Sequence, residues 1–174
     1  MNEALSKLYS RKSVRLFLDK EVEQDKIDNL LKAAMAAPSA RNQQTWGFIV
    51  VKDRELLIKL SEAMPYAKMA ATAALAIVVC GDLSKCGEGY RQEYWKFDCS
   101  AATQNILLAA HFMNLGAVWT AVYPNPDRLE KAISILKIPK GIIPLNIIPV
   151  GYPVEYNTEE NIHFNGDNVH TNNW

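Results

Sequence analysis

The sequence has few cysteines, no net charge and no long hydrophobic run, and each of these absences removes a class of protein. Its three cysteines, Cys80, Cys86 and Cys99, form no CxxC pair, so neither a disulfide scaffold nor a zinc site is expected. Nineteen basic and nineteen acidic residues balance to zero, which argues against a protein whose main partner is nucleic acid or an anionic membrane. Any important positive charge must therefore be local.

The chain also lacks the sequence features of export and of membrane insertion. Its first residues show no basic head followed by an apolar stretch, and the longest apolar run, around residues 69–81, is too short to cross a bilayer. A reducing cytoplasmic location is therefore expected. A length of 174 residues with 49% hydrophobic content, and without repeats or Gly/Ser linkers, predicts a single domain over residues 1–174.

Several common cofactor and catalytic motifs are missing as well. Gly87 and Gly89 begin a GxG, but Gln92 stands where a dinucleotide-binding loop needs its last glycine. There is no GxxxxGK[ST] loop, no HExxH and no GxSxG, and His111, His163 and His170 are too far apart in sequence to form a local ligand cluster. No metal site is expected, and a hydrolase loses its usual support.

Helical and strand patterns alternate along the chain and predict a mixed α+β domain. Apolar periodicity and capping residues predict helices at 23–37, 53–64 and 127–136, with a longer and nearly all-apolar helix from about Tyr90 to Leu115. Runs rich in β-branched residues predict strands at 45–51, 74–82, 116–124 and 142–153. Pro144 and Pro149 should place parts of the last strand at an edge or a bulge.

A cluster of positive charge lies near the start of the chain. The stretch SRKSVRLF, residues 10–17, places Arg11, Lys12, Ser13 and Arg15 within five positions. If this stretch is helical or turn-like, the two arginines reach one side and the serine hydroxyl adds a further donor. Arginine forks and hydroxyls suit a phosphate, so an anion site is one interpretation. A solvated basic face is the other.

A second polar stretch, APSARNQQTW at residues 37–46, falls where a helix ends and a strand begins. Pro38 and Ser39 end the helix, and Asn42 and Gln44 then present amides that both donate and accept hydrogen bonds. Such amides suit the edge of a planar heterocycle. An ordinary polar loop would explain the same residues.

Taken in this order, the two stretches resemble a known family. SRKSVRLF resembles the R-[RK]-S-x-R-x-[FY] start of the FMN-dependent nitroreductases, and APSARNQQTW resembles their A-P-S-[AS]-x-N-x-Q-P-W signature. FDCSAATQNILLAAHFMNLGAVWTAVYP is similar to the family's central helix and following strand, and IPVGYP with the terminal VHTNNW is similar to its closing segment. The resemblance covers essentially the whole chain. It implies a nitroreductase-like fold, a mixed and mostly antiparallel sheet flanked by helices, with the long helix at a dimer interface.

The resemblance also implies a composite FMN site in a homodimer. The phosphate, the ribityl chain and the pyrimidine side of the flavin would be bound by Arg11, Lys12, Ser13 and Arg15. Positive charge near flavin N1 and O2 favours the reduced, anionic flavin. The other subunit would complete the site with the loop residues Pro38, Ser39, Ala40, Asn42 and Gln44.

The resemblance also assigns a backbone contact with the flavin, and the sequence departs from the family pattern at two residues. The backbone of Thr120, Ala121 and Val122 would pass near flavin N5. His163 stands where relatives often have Arg or Lys at the phosphate, which should weaken FMN binding. Thr45 replaces the proline of the loop signature and should alter rigidity more than chemistry.

Polar and aromatic residues elsewhere suggest supporting roles. Asp98, Gln104 and Asn105 lie in the long apolar helix, and each needs a hydrogen-bond partner if buried, so structural pairing is expected. Tryptophan is more often core or interface mass than a pocket wall, and no catalytic role is assigned to Trp46, Trp119 or Trp174.

The activity implied by the resemblance is that of an NAD(P)H oxidoreductase. NADH or NADPH would reduce FMN, and nitroaromatics, quinones or similar planar acceptors would then take the electrons in a ping-pong sequence. Since the flavin carries the chemistry, no side-chain nucleophile or base is required. Two alternatives stay open: an FMN-binding sensor or carrier with little turnover, and a small nucleic-acid-binding domain that uses the basic stretch.

Overall fold

The computed structural model describes residues 2–156, 159–160 and 162–174 and shows an antiparallel sheet between two layers of helices. The helices are α1 (Glu3–Ser10), α2 (Gln24–Met35), α3 (Arg54–Ala63), α4 (Trp95–Phe112) and α5 (Pro126–Leu136). The strands are β1 (Trp46–Val51), β2 (Leu75–Asp82), β3 (Gly116–Ala117), β4 (Thr120–Ala121) and β5 (Ile142–Gly151). The predicted α+β class is confirmed.

The sheet runs in the order β1-β2-β5-β3, with β4 also paired to β5. Every strand pair among the described residues is antiparallel. The β2 and β5 strands occupy the centre and are buried along nearly their whole length. Their continuous apolar sequences follow from this position, because both faces of the sheet are covered by helices.

The two prolines of β5 lie where the ladder does not need their missing N–H groups. Pro144 falls at a register shift between β2 and β5, opposite Cys80. Pro149 pairs with Ala76 of β2. On its other side neither neighbouring strand pairs with it, because β3 pairs with residues 150–151 and β4 pairs with residues 146–147. The expected bulge is therefore present at Pro144, and Pro149 sits in a central strand opposite a break in its neighbour.

Two apolar cores lie on the two faces of the sheet. One contains residues of α2 and α4, with Ile27, Leu30 and Ile106 fully buried among them. The other contains residues of α3 and α5, with Leu57 and Leu60 fully buried. Helix α4 is the longest helix described, and it is preceded by a 3-10 turn, Gly89–Tyr94, so the predicted long helix begins less regularly than expected.

The N-terminal region differs from the sequence prediction. Helix α1 was not anticipated, although Asn2 caps it by accepting a hydrogen bond from the Ala4 N–H at 2.8 Å. After α1 the chain pairs with the residues just beyond β5 through an isolated antiparallel bridge between Phe17 and Pro153. Among the described residues, no helix is both long and apolar enough to cross a membrane.

Candidate functional site

Residues 11–16, the basic segment, are neither helical nor turn-like and lie against β3, whereas Ser10 is the last residue of α1. The condition under which Arg11 and Arg15 would share one side of a helix or turn is therefore not met. The Val14 N–H donates to the Ala117 carbonyl oxygen at 3.1 Å. The Val14 side chain packs on Gly116, where an added Cβ would come within 2.5 Å of Val14 Cγ1. Ser13 and Arg15, which flank Val14 in the chain, are exposed, as expected where Val14 packs against β3.

The cations of this segment have no carboxylate partner within the described residues. The ion pairs found there involve Lys26, Lys85 and Lys96, none of which belongs to the segment. Arg15 and Ser13 are exposed, while Arg11 and Lys12 are half-buried. Three cations outside these ion pairs, placed beside a hydroxyl, are suited to binding an anion, although the carboxylate of Glu155 also lines the neighbouring cleft.

A cleft of about 350 Å³ opens beside this segment. Its volume is in the range of small-molecule sites. The walls come from three parts of the chain: the basic segment, the end of α4 and the residues that follow β5. The lining residues are Lys12, Ser13, Val14, Arg15, Leu16, His111, Leu115, Pro153, Val154, Glu155 and Tyr156.

His111 lies at the inner side of this cleft and is held on several sides. Its Nε2 is 2.9 Å from Ser10 Oγ, and its ring stacks on Tyr156 with centroids 5.6 Å apart. The Tyr156 hydroxyl donates to the His111 carbonyl oxygen at 3.1 Å. Burial lowers the pKa of His111, and the nearby charges of Lys7 and Arg11 lower it further. A neutral imidazole therefore adds no charge to the basic segment.

The second predicted stretch is a loop with unusual backbone geometry. Arg41, Asn42 and Gln44 all have positive φ, at 55°, 56° and 50°, although none is glycine. The loop is closed internally, because Ser39 Oγ accepts from the Gln44 N–H at 3.0 Å. Gln44 also donates to Asn42 Oδ1 at 3.3 Å, and both side chains are exposed. The two amides are thus presented to solvent next to one another.

The loop is attached to the start of α4 through Asp98. One carboxylate oxygen of Asp98 accepts from the Ala40 N–H at 2.9 Å, and the other accepts from the Thr45 hydroxyl at 2.8 Å. Asp98 and Thr45 are only 3% and 1% exposed. The expectation that Asp98 pairs structurally fits this geometry. Thr45 supplies a hydroxyl donor that the proline of the signature would lack.

Of the two other polar α4 residues considered in the sequence, one is hydrogen-bonded to another helix and one is exposed. Asn105 donates to the Ala33 carbonyl oxygen at 2.9 Å and so joins α4 to α2. Gln104 is exposed.

The basic segment and the loop lie at opposite ends of the same helix. The loop is tied to Asp98 near the start of α4, and the basic segment lies beside His111 near its end. Thirteen helical positions at 1.5 Å each separate these two residues by about 20 Å. Within one chain, therefore, the two predicted halves of the site do not meet.

The three residues predicted to approach the flavin through their backbone, Thr120, Ala121 and Val122, differ in exposure. Thr120 and Val122 are buried, whereas Ala121 is exposed. The Val122 N–H is already donated to the Leu145 carbonyl oxygen at 3.0 Å, and the Thr120 hydroxyl donates to Ile147 at 2.6 Å. Ala121 is thus the exposed residue of the three, and its carbonyl oxygen accepts from Arg128 Nη1 at 3.2 Å.

His163 and the tryptophans do not gather at the cleft. His163 is exposed, and none of the hydrogen bonds or ring contacts given for the described residues joins it to the basic segment. Trp46 is 5% exposed and belongs to the core, while Trp119 is 37% exposed. Trp174 is 99% exposed, and its ring centroid lies 4.3 Å from that of His170.

Sequence reasoning missed Ser10, His111 and Tyr156 as parts of the site. His111 was considered only as a metal ligand, and the Ser10–His111 contact joins residues 101 positions apart. The one sequence signal for His111 was its place as a polar residue near the end of an apolar helix. Within the described part of the chain, no group of three or more His, Cys, Asp or Glu could hold a metal ion.

Comparison with known proteins gives consistent results. The model described as the nitroreductase family matches residues 8–65 and 61–152. A protein of Archaeoglobus fulgidus with the provisional name NADH dehydrogenase/NAD(P)H nitroreductase is 44% identical over 178 residues, covering all of both chains. A crystal structure of a protein with the same provisional name from Parabacteroides distasonis has a TM-score of 0.92 and 48% identity, covering all of both chains.

A third similar protein is described more specifically. The FMN-dependent nitroreductase of Clostridium difficile R20291 is 33% identical, with a TM-score of 0.87, and the match covers 98% of this chain and 99% of that one. The family match spans most of the chain, and two of these relatives exceed 40% identity over their full length. The chain therefore belongs to the nitroreductase family of oxidoreductases.

Proposed function

We propose that the chain, folded as a single domain, is a homodimeric FMN-dependent oxidoreductase that transfers electrons from NADH or NADPH to nitroaromatics, quinones or similar planar acceptors. Membership of the family makes it an NAD(P)H-dependent oxidoreductase. Beyond this, the proposal names FMN as the cofactor, planar molecules as the electron acceptors and a homodimer as the assembly. The name of the Clostridium difficile relative and that of a Bacillus subtilis relative, FMN reductase [NAD(P)H], support the choice of cofactor.

The observation that carries the proposal is the separation of the two polar half-sites along α4. A flavin needs both a phosphate site and partners for the edge of its ring. One chain offers the first beside His111 and the second beside Asp98, about 20 Å away along the helix. Two copies related by a two-fold axis, with their α4 helices antiparallel, would bring each basic segment close to the partner's loop.

The exposed face of α4 fits such an arrangement. Phe97, Ala101, Leu108 and Phe112 recur at intervals of four or seven residues and form one stripe on the helix. Phe97 and Phe112 are 65% and 48% exposed in the single chain. A helix that is buried on its inner face and carries an apolar stripe, beside the exposed Gln104, on its outer face is suited to packing against a second copy.

The residues of the basic segment fit the phosphate end of FMN. Arg11, Lys12 and Arg15 supply positive charge and take part in no ion pair among the described residues, and Ser13 supplies a hydroxyl. Of the residues proposed for the phosphate, Lys12, Ser13 and Arg15 line the cleft, whereas Arg11 and His163 lie outside its lining. Since the backbone of the segment is fixed to β3 by Val14, these side chains emerge from a rigid support.

The residues proposed for the flavin ring orient it rather than react with it. Asn42 and Gln44 would hydrogen-bond the polar edge of the ring, supported by Pro38, Ser39 and Ala40. The backbone of Thr120, Ala121 and Val122 would lie near N5, with Ala121 the exposed residue of the three. When bound, FMN supplies the hydride-accepting chemistry. Positive charge from the basic segment would favour the reduced form. The nicotinamide nucleotide and the acceptor would occupy the same face in turn, which predicts ping-pong kinetics.

The visible spectrum of the purified protein, supplemented with FMN, tests this proposal. Oxidised-flavin bands that bleach on anaerobic addition of NADH or NADPH, and return with a nitroaromatic or quinone, are the expected result. Flavin that binds and stays oxidised would favour a sensor or carrier. No flavin binding at all would overturn the proposal.

A further inference from the structure

The loop at residues 38–45 is held in a conformation that non-glycine residues avoid. Three of the four residues from 41 to 44 have left-handed backbone angles. Each such residue is unfavourable by itself, so the conformation persists only where surrounding contacts fix it. The 3-10 turn Ala40–Asn42 contains two of the three, Arg41 and Asn42, and the third, Gln44, follows it closely.

Asp98 supplies contacts from outside the loop. It is 3% exposed and takes part in none of the ion pairs of the described residues. A buried carboxylate without a cation is unfavourable unless hydrogen bonds satisfy it. Both of its oxygens accept from the loop, one from the Ala40 N–H and the other from the Thr45 hydroxyl. These two donors lie on either side of the left-handed residues.

We infer that Asp98 is a positioning residue, which holds the loop at residues 38–45 in the strained conformation that presents Asn42 and Gln44 together. This inference rests on the proposed function, in which these amides bind the flavin edge. Asp98 acts through Ala40 and Thr45 and touches no reacting atom. Its neighbours Cys99 and Ala102 are fully buried, so the carboxylate stands on a rigid part of α4.

Thr45 gives the sharpest variants, because its contact with Asp98 depends on a single hydroxyl group. Thr45→Val removes the donor and keeps the shape, whereas Thr45→Ser keeps the donor and removes a methyl group. Asp98→Asn removes the negative charge and replaces one carboxylate oxygen by an NH2 group. The Ala40 N–H and the Thr45 hydroxyl are then left with a single acceptor oxygen. Ser100→Ala is the matched control, since the half-buried Ser100 hydroxyl donates to Lys96 on the same helix and contacts no loop residue.

The first measurement is amide hydrogen exchange over residues 38–45 in the full chain without FMN. Thr45→Val and Asp98→Asn should speed exchange in this loop by about tenfold. Thr45→Ser and Ser100→Ala should stay within about threefold of the wild type. Exchange that is unchanged in both Thr45→Val and Asp98→Asn would overturn the inference without reference to the flavin. If Asp98→Asn does not fold, Thr45→Val and Thr45→Ser decide the question alone.

The second measurement is the dissociation constant of FMN, obtained by fluorescence titration of the same proteins. Thr45→Val should weaken FMN binding by about tenfold, and Thr45→Ser should restore it to within about threefold of the wild type. A loop that exchanges faster while FMN binds as in the wild type would show that Asp98 supports only the fold, and would overturn the inference. If the wild type itself binds no FMN, the proposed function fails. The exchange data still show separately whether the hydrogen bonds from Ala40 and Thr45 to Asp98 hold the loop.

Discussion

Ser10 and His111 join the end of α1 to the end of α4 through a buried contact of 2.9 Å between Ser10 Oγ and His111 Nε2. The two side chains are 4% and 7% exposed. Because Ser10 directly precedes Arg11, this contact fixes the point at which the basic segment leaves α1. The position of the proposed phosphate site therefore depends on a pair that lies beneath it.

Replacing Ser10 by alanine should lower the free energy of unfolding by about 1–3 kcal/mol, because it leaves a buried imidazole nitrogen without its partner. Urea denaturation of the FMN-free protein measures this. Ser6→Ala, on the same helix, is the control and should change stability by less than about 0.5 kcal/mol. Equal effects of the two substitutions would contradict a specific role for the Ser10–His111 contact.

The pKa of His111 lies below its ordinary value of 6.5, mainly because of burial. Between the lowered pKa of the folded state and 6.5, the unfolded chain binds a proton that the folded chain does not. His111 thus leaves stability undiminished above pH 6.5 and reduces it as the pH falls below 6.5, by at most about 1.4 kcal/mol per pH unit. Denaturation of the FMN-free wild type and of His111→Gln from pH 7.5 to 5 measures the difference. Parallel pH profiles would contradict the assignment.

Gly116→Ala should displace the basic segment, since the new Cβ would lie 2.5 Å from Val14 Cγ1 and 2.7 Å from Val14 Cβ. Overpacking of this kind costs roughly 1–3 kcal/mol of stability. We also expect FMN binding to weaken about tenfold, because the segment would move off β3. Gly47→Ala in β1, where a Cβ meets nothing within 4 Å, is the control and should leave both quantities near wild type. If Gly116→Ala binds FMN with wild-type affinity, the basic segment is not part of the flavin site.

Arg15→Gln should weaken FMN binding roughly tenfold to a hundredfold, the loss expected for one charge-assisted hydrogen bond to phosphate. The exposed Lys32→Gln on α2 removes the same charge elsewhere and is the matched control. Titrations at low and high salt should show a steeper salt dependence for the wild type than for Arg15→Gln. Equal losses in the two variants would point to general electrostatics rather than a phosphate site.

Mixing of two defective variants can show whether the flavin site is shared between chains. Arg15→Gln and Asn42→Ala would each damage both sites of their own homodimer. A heterodimer of the two places both defects in one site and leaves the other intact, so random reassembly should restore tight binding at about a quarter of all sites. Flavin stoichiometry after joint refolding measures this. No recovery, with heterodimers confirmed by mass spectrometry, would contradict the composite site.

The sequence located both halves of the candidate site because each is a short local motif. Arg15 and Ser13, and likewise Asn42 and Gln44, lie within a few positions of one another, and their side-chain chemistry is visible without a fold. The extended form of the basic segment was not predictable from local pattern, because it depends on the hydrogen bond between Val14 and Ala117, about a hundred residues away.

The contacts that fix the site were the harder part to predict. Asp98 was expected to need a partner, but that partner is a loop 58 positions earlier in the chain. His111 and Tyr156 reach the cleft only because α4 and the segment after β5 pack side by side. Such pairings depend on the arrangement of whole elements, which single-residue propensities do not encode.

The length and phase of α4 link its two ends mechanically. One residue inserted near Ala102 would turn everything beyond it by about 100° and shift it by 1.5 Å relative to Asp98. The stripe of Phe97, Ala101, Leu108 and Phe112 would then break in its middle, and His111 would no longer face Ser10. A deletion of the same size would act in the opposite sense. Changes in chain length should therefore be far less tolerated within this helix than in the surface turns around it.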